Sequence, residues 1–300
     1  MSFSVLLLGA TGTIGSQIAL KLAKYQDQLK RVAFLTSSAD GQPEKEAKYK
    51  TVPIPRVVGS FEDPASYHGF DIVISAVGDT LCEAQIKYID AAFEGGAKHF
   101  YPAEYGMDLS KELASTESYF VNKLKVRKHL EDKVSKDASK GYTYIMVGMF
   151  SDFMLQYNIL FLSDDKKSAS FLGDPEAKLS TTQSDDVGSI VALSLLPSHL
   201  KSLSDRRQIR FAGSTLSIAE YFSTVASVLG HDIKVQYLSK DSSYIFEQEQ
   251  KALGNEFMYK FTSARRALGF GGAAFDGVDN GSYLELKPTT WEEAVKAALA

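Results

Sequence analysis

Two stretches of this sequence carry residue types at spacings that suit chemistry. Near the start, Gly9-Ala10-Thr11-Gly12-Thr13-Ile14-Gly15 sets three glycines three residues apart. Between a strand and a helix, glycines at this spacing let backbone N–H groups approach a pyrophosphate. The first permits a tight turn, the second the close approach, and the third close packing of helix on strand. The helix that follows adds partial positive charge at its N-terminus. Thr11, Thr13 and Ile14 lie in the same turn and are cofactor-contact candidates. A purely structural turn would show the same glycines, so the flanking elements decide. Further along, Tyr119 and Lys123 stand four residues apart in a helical pattern. On one helix they share a face. A phenol there can give a proton to a carbonyl as hydride arrives. The neighbouring ammonium lowers the phenol's pKa and can bond ribose hydroxyls. Tyrosine and lysine at this spacing also occur on helices that do no chemistry.

The elements around these residues read as alternating strands and helices. Strands are expected at 3–8, 32–35, 56–58, 71–77, 99–101 and 142–147. Helices are expected at 14–22, 81–93 and 117–134. Near-continuous apolar runs such as Val5–Leu8 suit strands buried on both faces, and βαβ spacing implies a parallel sheet covered by helices. Beyond Phe150 the rhythm loosens. A helix at 185–196, a strand at 208–212 and a helix opened by Ser217 with Glu220 three residues on, a capping-box pattern, are the clear signals. The fold class is therefore α/β: a Rossmann-type doubly wound parallel sheet with a smaller α/β C-terminal substrate lobe. Residues 1–150 form the dinucleotide-binding domain, with 185–212 returning to it, and 151–184 and 213–300 form the lobe.

Ligands of such sheets bind at the carboxyl ends of the strands. Thr36 and Ser37 end the second strand, where an NAD site places an acid for the ribose hydroxyl. No acid occurs there before Asp40, hydroxyls could bond a 2′-phosphate, and Lys45 or Lys48 could swing in, which favours NADP(H). Ala76, Val77 and Gly78 follow the fourth strand and are small enough for a cofactor to pass. Glu104 and Tyr105 follow the fifth; Tyr105 is a substrate-contact candidate, and Glu104 either faces the site or orients a backbone turn. Phe150, Phe153, Tyr157, Phe161 and Phe171 form either an aromatic pocket or core. In the pocket reading Phe150 contacts the cofactor, and Phe153 and Tyr157 the substrate.

Composition narrows the alternatives. The 300 residues carry 33 basic and 37 acidic side chains, a net charge of −4, which argues against a nucleic-acid surface. The basic cluster 123–128 suits a solvated helix face. The run Val5–Leu8 is far too short for a signal or a membrane span, and Cys82, the single cysteine, excludes an intrachain disulfide, so a cytoplasmic protein is expected. Five scattered histidines show no metal spacing, Asp185-Asp186 suits a helix N-terminus, and no serine-hydrolase elbow occurs. The implied partner is a small-molecule substrate, with no nucleic acid and no membrane; a homodimer is left open.

The succession GATGTIG, DIVISAVG, AAFEGGAKHFYPAEYG, YFVNKLKVRKHLED and TTQSDDVGSIVALSLL resembles the NmrA-like and isoflavone-reductase-like proteins, atypical members of the short-chain dehydrogenase/reductase superfamily. The resemblance covers the chain to about residue 200 well and the remainder loosely. It implies an NADP(H)-binding domain, a smaller substrate lobe, and reduction of aromatic or conjugated small molecules. The family's motif lysine, in its Phe-x-x-Lys-x-x-Val-Arg context, matches Phe120, Lys123, Val126 and Arg127 and serves as acid or base beside the nicotinamide. The family's Pro-Ser-Glu-Phe-Gly loop matches Pro102–Gly106, with Ala103 for serine and Tyr105 for phenylalanine. The arginine usual after the second strand falls on Thr36 or Ser37, a departure. Tyr119 is not a regular feature of this branch. The expected activity is an NADPH-dependent reductase acting on a carbonyl or conjugated double bond of an aromatic or quinone-like molecule. The alternative is a non-catalytic dinucleotide sensor acting through a protein partner, which would need the glycine loop but not Lys123.

Overall fold

Val5, Leu6, Leu7 and Leu8 are all fully buried, as the central strand of a covered parallel sheet requires. The computed structural model describes residues 2–38 and 40–299. Its elements begin with β1 (Ser4–Leu8), α1 (Thr13–Lys24), β2 (Arg31–Thr36), α2 (Pro43–Lys50), β3 (Arg56–Val58), β4 (Ile72–Ser75), α3 (Gln85–Glu94) and β5 (His99–Tyr101). There follow α4 (Glu112–Ser115), α5 (Val121–Lys136), β6 (Gly141–Met146), β7 (Met149–Phe150), α6 (Ser151–Gln156), β8 (Ser168–Leu172), β9 (Lys178–Thr182) and α7 (Ser184–Ser194). The chain ends with β10 (Arg206–Arg210), β11 (Ser214–Ser217), α8 (Ile218–Leu229), β12 (Lys234–Leu238), α9 (Lys240–Ala252), α10 (Glu256–Gly269) and α11 (Trp291–Leu299). No described helix is long and apolar enough to cross a membrane.

The chain divides into two units. The first comprises residues 1–105, 122–145 and 184–209. Its seven-stranded sheet has the order β10-β6-β5-β4-β1-β2-β3, in which β3 to β6 run parallel through β2, β1, β4 and β5. This is a Rossmann-type doubly wound order, reversing direction at β1. Alternation along the strands sends Leu6, Leu8 and Val73 into a core with Ile89 of α3 and with Val126 and Leu130 of α5. Right-handed crossovers put α1 on the opposite face. There Lys21 of α1 pairs with Asp185 in the first turn of α7. Asp185 thus serves the helix start and an ion pair, and no group of three or more potential metal ligands occurs among the described residues.

The second unit comprises residues 106–121, 146–183 and 210–300. Residues 106–121 therefore group away from the dinucleotide half with which the sequence pattern associates them. Local bonds explain it: the N–H groups of Val147 and Gly148 both donate to the Gly106 carbonyl, and Glu117 pairs with the buried Arg266. This unit holds the small sheet β11-β9-β7 and the parallel pair β12-β8. The Ser217–Glu220 capping box opens α8, as its sequence pattern anticipates. Trp291 of α11 is anchored to Tyr221 of α8 by an edge-on ring contact, and its indole N–H donates to the Tyr221 carbonyl.

A buried polar chain ties β5, β6 and β10 together in the first unit. Arg207 Nε donates to the Thr143 hydroxyl at 3.0 Å, and its other nitrogens donate to the Ser194 and His199 carbonyls and to Tyr101 Oη. The imidazole of His99 lies between the Leu203 carbonyl and the Thr143 hydroxyl, each at 2.8 Å. A carbonyl only accepts, so Nδ1 carries the proton and Nε2 accepts from Thr143. Burial first, and the nearby Arg207 charge second, hold His99 neutral, with its pKa pushed down from 6.5 to about 3; the Leu203 carbonyl and Asp205 oppose this. The unfolded chain then takes up a proton below pH 6.5 that the folded chain refuses. Stability should fall with pH from 6.5 towards 3, by roughly tenfold in the folding constant per pH unit from this group. Urea unfolding across pH 4–7 should show a shallower acid loss in His99→Asn than in the parent chain. Parallel profiles would place the acid sensitivity elsewhere.

Candidate functional site

The glycine loop joins β1 to α1. Gly9 has φ +80°, and a Cβ there would come within 2.5 Å of the Ala76 carbonyl oxygen at the end of β4. A Cβ on Gly15 would run into the Gly9 carbonyl. The Gly12 N–H donates to Gly9 O at 3.0 Å, closing the turn. Thr11, Gly12 and Thr13 are exposed, Ile14 is half-buried, and Ala76, Val77 and Gly78 grade from buried to exposed beside the turn. Gly12 is the N-cap of α1, with no side-chain cap and no acid in the first turn. The backbone donors there and the helix dipole favour an anion.

At the end of β2, Thr36 is buried and its hydroxyl donates to the Ser37 carbonyl, while Ser37 and Ser38 are exposed. Lys45 Nζ donates to Ser37 Oγ at 2.9 Å. Lys48 instead lines a cavity of about 350 Å³ with Ala10, Thr11, Ser16 and Thr51. Tyr49 is brought to the same strand end. Burial raises its phenol pKa, but hydrogen bonds with Thr36 and Ser37 and the Lys45 charge outweigh that and lower it.

The loop after β5 is held by α3 and α5. Gln85 Oε1 accepts from the Ala103 N–H at 2.8 Å. The Glu104 carboxylate is buried and accepts two bonds from Arg127, Nε at 3.0 Å and Nη2 at 2.7 Å. The guanidinium also lies over the Tyr144 ring at 4.6 Å. One helical turn earlier, Lys123 Nζ donates to the Glu104 carbonyl oxygen at 2.6 Å. Of the two roles open to Glu104, the structure supplies the orienting one. Arg127 was visible as a motif residue, but its partner, 23 residues back in the chain, was not.

Tyr105 follows with φ +20°, its ring buried and its hydroxyl without a hydrogen-bond partner among the described residues. Burial pushes the phenol far above its ordinary range. Tyr119 is not on α5. That helix starts at Val121, and Tyr119 lies in a preceding 3₁₀ turn, Ser118–Phe120. The turn is held because Ser118 Oγ and the Tyr119 N–H both donate to the Ser263 hydroxyl. Tyr119 thus stands in the turn before α5, and Lys123 on α5 itself. Cys82 is buried, which pushes its thiol pKa up.

In the second unit Phe150, Phe153 and Tyr157 make an edge-on ladder along β7 and α6, with ring centres 4.9 and 5.4 Å apart, and Tyr157 is exposed. The other two aromatics of that stretch go elsewhere. Phe171 packs in the core on Phe222, and Phe161 lies under the Arg265 guanidinium.

Comparison with known proteins bears on the fold and the family. Phenylcoumaran benzylic ether reductase PT1 of Pinus taeda is 27% identical over 252 residues, covering 79% of this chain and 78% of that protein. A crystal structure of isoflavone reductase superposes with a TM-score of 0.78 at 22% identity, covering 99% of each chain. The binary complex of leucoanthocyanidin reductase with NADPH from Vitis vinifera gives 0.75 at 20% identity, covering 98% of this chain and 99% of that one. The two structures establish the fold. The profile of the NmrA-like family matches residues 1–294, taking in the glycine loop, the Glu104 loop and Lys123 alike, and the chain belongs to that family.

Proposed function

We propose that the chain is an NADPH-dependent reductase that delivers hydride to a carbonyl or conjugated double bond of a small aromatic or quinone-like molecule. The observation that carries this reading is Lys123, whose ammonium is held on the Glu104 carbonyl at the carboxyl end of the sheet that bears the glycine loop. The first unit suits the cofactor. A Cβ on Gly9 would fill the turn, the α1 N-terminus is open to a pyrophosphate, and Ser37 and Lys45 replace the acid that an NAD site would place. Bound there, the reduced nicotinamide supplies the hydride. Lys123 holds the proton. One of its three N–H bonds is spent on Glu104, which fixes the nitrogen and leaves two to donate to a developing oxyanion or carbanion. Within the second unit the Phe150, Phe153 and Tyr157 ladder suits aromatic ligands, and within the first Tyr105 follows β5 at the carboxyl end of the sheet. The names of the relatives, a phenylcoumaran benzylic ether reductase and an isoflavone reductase, support the same substrate class. The sensor reading needs the glycine loop but not Lys123.

Purified protein with NADPH and a panel of quinones, enones, phenolic ketones and phenylcoumaran-type ethers should show cofactor oxidation with at least one of them. Lys123→Ala should lower kcat by about 10²- to 10⁴-fold while NADPH still binds. Unchanged turnover would remove Lys123 from the mechanism, and cofactor binding without any turnover would favour the sensor. Arg127→Met leaves the Glu104 carboxylate buried without its guanidinium. It should cost about 3–5 kcal/mol in urea unfolding. A loss below about 1 kcal/mol, the range of exposed ion pairs, would mean that Glu104 finds another partner.

A further inference from the structure

The end of β2 carries no cation of its own, because Thr36, Ser37 and Ser38 stand there. A guanidinium nevertheless reaches that point by another route. Arg56 lies on β3, opposite Phe34 of β2 in the parallel register. From there its side chain extends to the carboxyl end of β2, where Nη2 lies 3.5 Å from the Ser37 carbonyl. The guanidinium stacks over the Tyr49 ring at 4.4 Å, and Lys45 Nζ lies over the same ring at 6.0 Å. Two cations, the Ser37 hydroxyl and the Tyr49 phenol thus converge where an open α/β sheet receives the adenosine ribose. Arg56 Nε is buried and has no hydrogen-bond partner among the described residues. Among the described residues the carboxylate bonded to Arg56 is that of Glu46, at 2.6 Å from Nη1, and it is partly exposed.

We infer that Arg56, delivered from β3, joins Lys45 in a 2′-phosphate subsite and gives this chain its preference for the phosphorylated dinucleotide. The inference rests on the cofactor reading above and adds the residue that enforces it. A guanidinium is planar and keeps its donors in one plane, suited to the paired oxygens of a phosphate, and this one rests over the Tyr49 ring. Lys45 adds a point charge beside Ser37. Glu46 opposes both, because its carboxylate competes with the phosphate for Arg56, so removing its charge strengthens the site.

Calorimetric titration with NADPH and NADH separates the two claims without relying on turnover. The parent chain binds NADPH more tightly than NADH. Arg56→Met, which keeps much of the stem, weakens NADPH by about 10- to 100-fold, the range for a lost hydrogen bond to a charged group, and leaves NADH unchanged. Glu46→Gln tightens NADPH about threefold and leaves NADH unchanged. A parent chain with no preference for NADPH overturns the cofactor reading, and this inference with it. A parent chain that prefers NADPH, with an Arg56→Met variant that keeps the preference or weakens both cofactors equally, overturns this inference alone. Should Arg56→Met unfold, Glu46→Gln decides: unchanged or weaker NADPH binding overturns the inference.

Discussion

The buried pair between Glu104 and Arg127 is the interaction on which the geometry of the first unit's strand ends depends. Both side chains are almost wholly removed from water, at 2% and 8% exposure. Taking two charges into that environment costs more than an exposed pair returns, so the pair is favourable only because the geometry is two-pronged and the guanidinium also rests on Tyr144. Its consequence is positional. Glu104 cannot leave Arg127, so its carbonyl is fixed, and that carbonyl is the acceptor for Lys123. Lys123 and Arg127 are four residues apart on α5, so one helical face clamps one loop residue at two points, backbone and side chain. Gln85 holds the preceding residue from α3. The loop is thereby tied to helices packed in the same core.

A second, half-buried cation of this unit is stabilised differently. Arg207 bonds no carboxylate among the described residues; it is held by the carbonyl of Ser194, where α7 ends, and by that of His199 beyond it. A helix C-terminus carries partial negative charge, which favours a cation without a full anion. The same cation disfavours a second positive charge close by, and His99 stays neutral beside it. The unit therefore places a charged pair at the carboxyl ends of the strands and a neutral histidine within the sheet.

Much of the first unit was legible in the sequence. β3 and β5 fall on the residues expected, 56–58 and 99–101, because short apolar runs between turn residues leave little freedom. α2 was not, since Pro43–Lys50 is mostly charged and has no buried residue, so no periodicity marks it. β8, β9 and β12 were missed for another reason. Their partners are distant: Ser168 pairs with Lys234, and Lys178 with Ser217, so the pattern of each strand alone is weak. In the candidate site, the glycine turn was readable because its backbone geometry demands glycine, and the placing of Lys123 on a helix because a helical pattern runs through it. The displacement of Tyr119 into a 3₁₀ turn depends on Ser263, 144 residues further on, which no local spacing reports.

This contrast explains where such a site keeps its identity and where it changes. The glycine turn is made of backbone, and a Cβ at Gly9 or Gly15 would meet main-chain atoms that cannot move aside. Those positions have no substitute elsewhere in the fold. The end of β2 is furnished by side chains, and a long side chain can arrive from any neighbouring strand whose register permits it. β3 lies beside β2, and Arg56 sits two register positions short of Thr36, within reach for a guanidinium but not for a shorter side chain. Absence of a cation from the β2 end is therefore not absence of cationic character there, and the residue type after β2 is a poorer guide to the charge at that point than the register of the strand next to it.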